Sequence, residues 1–149
     1  MKKFITTIFL LTILVIISSC SDEIYEIYKR PQVCFDSTCF NVEIVDTPQT
    51  RQQGLMYRER LGADEGMLFI FDSTGRYPFW MKNTLIYLDM IWIDSKNKVV
   101  AIHRYAEPCT ADPCRSYDPE AEALYVLEIS GGISVEKGIN IGDYAEIKI

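Results

Sequence analysis

Short apolar and alternating runs dominate the chain from about residue 40 onward. Phe40, Val42 and Ile44 share one side of an alternating segment, which is typical of a strand with one buried face. Further strands are predicted at 67–71, from 79 to 94, and at 99–106, 125–129 and 144–149. Short helices are predicted at 49–58, after Thr47 and Pro48, and around 134–137. This pattern indicates a mainly β fold, a small antiparallel barrel or sandwich of six or seven strands with one or two short helices.

The first twenty residues have the pattern of an export signal. Lys2 and Lys3 precede an apolar run from Phe4 to Ile17, which is shorter than the ~20 residues that span a bilayer. Ile17-Ser18-Ser19-Cys20 resembles the lipobox of bacterial lipoproteins, whose cysteine accepts a diacylglycerol. We therefore expect a lipoprotein signal peptide at 1–19, lipidated Cys20 with a tether at 20–32, and a single domain at 33–149.

A lipid on Cys20 makes the membrane the first expected partner and the bacterial cell envelope the expected location. The residue after Cys20 is Ser21, whereas aspartate there is the usual signal for retention in the inner membrane, so the outer membrane is favoured. The net charge of -6 disfavours nucleic acid as a partner, because a polyanion is repelled unless positive charges are clustered.

Four further cysteines form two C-x4-C pairs, 34 with 39 and 109 with 114. In an oxidising compartment an even number of cysteines favours disulfides, although four cysteines permit three connectivities. Asp36-Ser37-Thr38 is a turn composition that would place Cys34 opposite Cys39, so local pairing is the preferred interpretation. The alternative is a zinc site with four thiolate ligands, since the spacing is close to that used by metals.

Polar residues stand among large aromatics in the segment Phe79-Trp-Met-Lys-Asn-Thr-Leu-Ile-Tyr-Leu-Asp89. In a strand, Trp80 and Lys82 would share one surface. An unpaired buried charge is very costly, so Lys82 and Asp89 each need water or a counter-charge. A structural interpretation pairs Lys82 with Asp89 at the edge of the barrel. A functional interpretation makes a groove for a glycan or peptide, in which Trp80 stacks and polar groups hydrogen-bond, with the candidate ligand-binding residues Trp80, Lys82, Asn83, Asp89 and Arg58.

Catalytic motifs are scarce, which favours binding over catalysis. His103 is the only histidine and lies within a predicted strand, where a structural role is the usual one. No serine-elbow, metalloprotease or phosphate-loop motif is present, and we assign no catalytic residue, metal or cofactor. An enzyme that acts on glycans through carboxylates remains an alternative, with Asp89 paired with either Glu65 or Glu128. A second alternative is an accessory domain that docks another envelope protein through exposed apolar residues.

Several sequence blocks together resemble the bacterial and archaeal family called domain of unknown function 192. These blocks are Arg51-x-x-Gly54-Leu55-Met56-x-Arg58, Gly66-Met67-Leu68-Phe69-x-Phe71, Phe79-Trp80-Met81-Lys82-Asn83-Thr84, Leu88-Asp89, Val126-Leu127-Glu128, Gly132 and Gly142-Asp143. The resemblance covers about residues 40–149. It implies a small, mainly β, exported or lipid-anchored domain and supplies no catalytic residues.

Overall fold

A computed structural model describes residues 30–149, and residues 31–149 form one compact unit. The predicted signal peptide, Cys20 and most of the tether lie outside the described residues. The strands are β1 Gln32–Phe35, β2 Thr38–Val45, β3 Glu65–Gly75, β4 Phe79–Trp80, β5 Leu88–Ile93, β6 Val99–Ala106, β7 Ser116–Tyr117, β8 Ala123–Ser130 and β9 Glu146–Lys148. The helices are α1 Pro48–Gln53 and α2 Ile133–Glu136.

Seven of these strands form one curled sheet in the order β6-β5-β8-β3-β2-β1-β9, and β4 pairs with β7 in a separate two-stranded sheet. All pairs in the large sheet are antiparallel except β2 and β3, which run parallel. The mainly β prediction is confirmed. The parallel pair arises because α1 and the residues after it carry the chain back before β3 begins, as a crossover between parallel strands requires.

Both faces of the large sheet are covered, and one apolar cluster lies on each face. One cluster contains Met67, Met90 and Trp92, and the other contains Leu68, Ile91 and Leu127. Adjacent residues of a strand point to opposite faces, which explains why β3, β5 and β8 are apolar on both. Met67, Met81 and Met90 are each at most 2% exposed, as expected for core methionines.

The segment from Phe79 to Asp94 is not one strand, and that prediction was wrong. Phe79 and Trp80 form β4, Lys82 and Thr84 make only isolated bridges to Cys109, and the chain enters β5 at Leu88. Asn83 lies at φ 55°, in the left-handed region that asparagine tolerates better than most residues. The bend at Asn83 brings this segment to the surface beside α1.

Both disulfides have the predicted local pairing, Cys34 with Cys39 and Cys109 with Cys114. Cys34 and Cys39 are direct partners across the β1–β2 hairpin, whose two-residue turn places Asp36 at φ 49°. Because all four sulfurs are used in disulfides, the alternative of a four-thiolate zinc site is wrong.

Candidate functional site

A surface groove of about 380 Å³ lies between α1 and the segment that follows β4. Its volume falls within the range usual for ligand pockets. We call it the Trp80 groove, and its lining residues are Gln49, Gln52, Gln53, Met56, Trp80, Lys82 and Asn83. The structure therefore brings together three of the five predicted ligand-binding residues.

Helix α1 supplies one wall of the Trp80 groove. Thr47 begins the helix as a capping box with Thr50, and Pro48 occupies the first turn, as predicted. The helix ends at Gln53, five residues before the predicted end, because Gly54 adopts φ 46° and ψ -134°. That conformation is accessible almost only to glycine. Gly54 thus redirects the chain and leaves Met56 at the end of the groove.

One side-chain and two backbone hydrogen bonds of Asn83 connect the segment after β4 to its neighbours. Asn83 Nδ2 donates to the Tyr57 hydroxyl at 2.9 Å, and the Tyr57 amide donates to the Asn83 carbonyl at 2.8 Å. The Asn83 amide donates in turn to the Cys109 carbonyl at 2.8 Å. Asn83 therefore joins the residues after α1 to the groove and to the second disulfide.

Trp80 and Lys82 remain neighbours on one surface although they do not lie in a continuous strand. The Lys82 ammonium lies 5.4 Å from the centroid of the Trp80 ring and 2.9 Å from Asp112 Oδ2. Trp80 is 48% exposed. Because the ammonium pairs with Asp112, the predicted pairing of Lys82 with Asp89 is wrong. The ring keeps a large accessible surface in the groove.

Arg58 lies outside the Trp80 groove. Its guanidinium donates to both carboxylate oxygens of Glu43, with Nη1 to Oε1 at 2.6 Å. This charge-assisted pair lowers the pKa of Glu43 and raises that of Arg58, chiefly through the hydrogen bonds themselves. The structure therefore places Arg58 in a pair between β2 and the loop after α1, away from the other candidates.

Asp89 is also absent from the Trp80 groove, because it is fully buried on the other side of the sheet. Its Oδ1 accepts from the amides of Tyr105 at 2.8 Å and Gly132 at 2.9 Å, and its Oδ2 accepts from the amide of Ser134 at 2.8 Å. Three backbone donors satisfy the buried carboxylate without a cation. The geometry gives Asp89 a structural role at the β6 edge and the start of α2.

The carboxylates of the glycosidase alternative do not meet on one face. Asp89 is directly opposite Ile129, whereas Glu128 is directly opposite Met90, so the side chains of Asp89 and Glu128 project from opposite faces of the sheet. Glu65 is exposed, and its Oε2 accepts from the Gly62 amide at 2.9 Å. A two-carboxylate mechanism requires both acids beside one bond, and Asp89 cannot provide that with either partner.

His103 lies in a separate surface cavity of about 470 Å³ beside the second disulfide. Its ring centroid is 4.2 Å from that of Tyr117, and its pKa is lowered by burial and then by the charge of Arg115. Cys109, which also lines this cavity, is held in a disulfide with Cys114 and is therefore not a free thiol nucleophile. Within residues 30–149 no group of three or more histidine, cysteine, aspartate or glutamate residues forms a metal cluster.

The three glutamines of α1 are groove residues that the sequence analysis did not select. Gln49, Gln52 and Gln53 are all exposed and line the Trp80 groove. Their spacing of three and four residues places them on one helical face, which is a signal that the sequence itself carries. An amide stripe facing an exposed indole extends the polar lining along the groove.

Comparison with protein families supports the sequence resemblance. The family model DUF192, described as "Uncharacterized ACR", matches residues 32–147. The chain belongs to the DUF192 family. The match begins eight residues before the predicted limit at residue 40 and includes the first disulfide.

Two solved structures show the same DUF192 fold. One, described as a candidate transcription regulator from Sinorhizobium meliloti 1021, is 36% identical with a TM-score of 0.72, covering 79% of this chain and 92% of that chain. The other, a protein of unknown function from Novosphingobium aromaticivorans DSM 12444, is 33% identical with a TM-score of 0.72, covering 78% and 83%. The chain matches no curated protein. Within the described part of this DUF192 chain, no helix is long and apolar enough to cross a membrane.

Proposed function

We propose that this DUF192 domain is a non-catalytic binding domain of the bacterial envelope, and that the Trp80 groove binds a glycan of the cell wall. The observation that carries this proposal is the exposed Trp80 ring in a concave site with three glutamine amides, Lys82 and Asn83. An indole face packs on the C–H groups of a sugar ring, while amides donate to and accept from its hydroxyls.

The contacts of Lys82 favour recognition over a purely structural role. Its side chain is 36% exposed and its ammonium pairs with an exposed aspartate, Asp112, so neither charge is needed to neutralise a buried partner. Such an exposed pair contributes about 0–1 kcal/mol to folding. The ammonium keeps donors available for a ligand in the groove.

Sedimentation with purified peptidoglycan tests this proposal. Wild-type protein is expected to sediment with the polymer, and Trp80→Ala is expected to weaken binding about tenfold or more because a central aromatic contact is lost. Lys82→Ala is expected to weaken it by a smaller factor. The matched control is Tyr144→Ala, which removes an exposed aromatic ring outside the groove and is expected to leave binding unchanged.

A structural role for Trp80 and Lys82 predicts a different result. In that case both alanine variants would lower the melting temperature and leave sedimentation as in wild type. If Trp80→Ala abolished capture of a protein while wild type ignored peptidoglycan, the alternative of a protein-docking domain would replace the glycan proposal.

The name of the S. meliloti relative concerns transcription, and our proposal does not extend that role to this chain. The net charge of -6 weakens attraction to a polyanion. Our proposal instead places the domain at the envelope, where an oxidising environment would maintain its two disulfides.

The proposed location depends on Cys20 as a lipid acceptor, which labelling of cells with palmitate tests. Wild type is expected to incorporate the label, and Cys20→Ala is expected to lose it because the acceptor thiol is gone. Ser21→Ala is the matched control, since it changes the adjacent residue and preserves the thiol. Persistent labelling of Cys20→Ala would reject Cys20 as the acceptor.

A further inference from the structure

Glu128 is a buried acid for which the fold itself offers no partner. It lies on β8 between Met67 of β3 and Met90 of β5, and it is only 4% exposed. Among residues 30–149 no hydrogen bond contributes to the shifted pKa of its carboxyl. Because no fully buried side-chain oxygen of these residues lacks a partner, the carboxyl oxygens are not completely enclosed. Burial alone raises its pKa to about 8, so at neutral pH the group is a carboxylic acid with an O–H to donate.

A small cavity lies beside Glu128 and adjoins the Trp80 groove. Its volume is about 30 Å³, which accommodates roughly two water-sized groups. Residues lining both spaces come from α1, the residues after it, β4 and the segment after β4, namely Gln52, Gln53, Met56, Trp80 and Lys82. A substituent of a ligand in the groove can therefore be directed toward Glu128.

The charged groups that line this cavity are engaged elsewhere. Arg51 of α1 donates to the carbonyls of Asp46 and Ile70, both at 2.6 Å, and Lys82 pairs with Asp112. The flanking strands present uncharged Met67 and Met90. Glu128 thus meets no cation that would hold its charged form. The remaining wall is mixed, with the hydroxyl-bearing Thr84 beside the apolar Leu55, Phe69 and Phe79.

We propose that the Glu128 carboxyl donates a hydrogen bond to the acetamido carbonyl of an N-acetylated amino sugar bound in the Trp80 groove. This inference rests on the proposed function and names its ligand class. The carbonyl oxygen accepts the O–H, and the methyl group contacts the apolar part of the wall formed by Leu55, Phe69 and Phe79, so one substituent meets both a donor and an apolar surface. A hydroxyl at the same sugar carbon leaves that apolar part uncovered.

Calorimetry with two neutral tetrasaccharides tests this assignment. Chitotetraose and cellotetraose share β-1,4 linkages and differ in carrying an acetamido or a hydroxyl group at C2. Wild type is expected to bind chitotetraose about tenfold or more tightly. Glu128→Leu is expected to remove the preference, whereas Glu128→Gln is expected to keep it because the amide retains a donor.

The pH dependence of this preference distinguishes hydrogen-bond donation by the Glu128 carboxyl from a role of Glu128 in packing alone. The wild-type preference is expected to fall as pH rises through about 8, when the acid loses its proton. The Gln variant is expected to show no such fall. Melting temperatures of both variants verify that they are folded.

The outcomes distinguish this inference from the proposed function. Equal affinity for the two tetrasaccharides, or a preference that survives Glu128→Leu, overturns the acetamido assignment and leaves glycan binding intact. The same holds if wild type binds peptidoglycan but neither tetrasaccharide. If it binds none of the three, both proposals are overturned.

Discussion

The two embedded charges, Lys82 and Asp89, show how far single residues can be interpreted from sequence. Each charge needs a counter-charge or hydrogen-bonding groups for physical reasons, and the structure provides these for both residues. Their partners differ from those predicted because the alternation of β5 fixes Asp89 on the face with Ile91, whereas Lys82 precedes the bend at Asn83. A sequence shows that a buried charge needs hydrogen-bond donors. It does not show which backbone amides of distant loops supply them, because no particular side chain marks those amides.

Asp89→Asn is expected to destabilise the protein by about 2–4 kcal/mol. The amide has only one acceptor oxygen for the three backbone N–H groups that now surround a carboxylate, and its own N–H groups face those donors. Urea denaturation monitored by tryptophan fluorescence measures the loss. The control is Asp112→Asn, whose exposed pair with Lys82 predicts a change within about 1 kcal/mol. Equal effects of the two substitutions would contradict the structural role of Asp89.

At the scale of elements, turn and cap signals were more informative than the length of periodic segments. Thr47 and Pro48 located the start of α1 correctly. Its end was misplaced because Gly54 was treated as a costly interior residue instead of a stop. Lys82 and Asn83 were the sequence evidence against a continuous strand at 79–94, and they lie where the chain leaves β4.

Gly54→Ala is expected to cost about 1–3 kcal/mol and to weaken glycan binding. A Cβ at Gly54 would be strained at φ 46° and would lie 3.2 Å from Phe69 Cζ, so α1 and its glutamines would shift. Thermal unfolding measures the cost. Gly138→Ala is the matched control, because it has φ 70° with no atom within 4 Å of the added Cβ. A larger loss of stability in Gly138→Ala would contradict the role assigned to the Phe69 contact.

Replacing Cys34 and Cys39 by alanine is expected to reduce stability by about 2 kcal/mol, because the bond closes a short loop in the unfolded chain. The β1–β2 ladder and the β1–β9 pairing remain to hold the hairpin. Urea denaturation of wild type with and without reductant provides the comparison. An unchanged midpoint in the double variant would show that the hairpin ladder alone determines the stability of this edge.

For the whole molecule, the mainly β class and the six or seven strands of the large sheet could be predicted, whereas the strand order and the additional β4–β7 sheet could not. Alternation identifies a strand but does not state its neighbours, and the parallel pairing of β2 with β3 follows from the path of α1. The central position of β8 gives Glu128 its environment, since strands on both sides bury it. A sequence signal existed: Leu127 and Ile129 flank Glu128, and Val126 shares its face, so no solvent-facing side was available.

The buried position of Glu128 also makes the stability of the whole molecule depend on pH. Its pKa is raised from 4.5 to about 8, so between these values the folded chain holds a proton that the unfolded chain releases. The contribution of the protonated carboxyl to the free energy of unfolding is therefore fully present below about pH 4.5. It decreases as pH rises toward about 8, by at most about 1.4 kcal/mol per pH unit. Glu128→Gln removes the titrating group and is expected to lack this decline.

Urea denaturation of both proteins from about pH 5 to about pH 9 measures the difference. His103 acts in the opposite direction, because its lowered pKa withdraws stability only as pH falls below its ordinary value of 6.5. His103 is present in wild type and in Glu128→Gln, so subtracting one curve from the other isolates the carboxyl. If the two curves ran parallel across the whole interval, Glu128 would have to be charged in the folded protein, and a donor role in the cavity would be untenable.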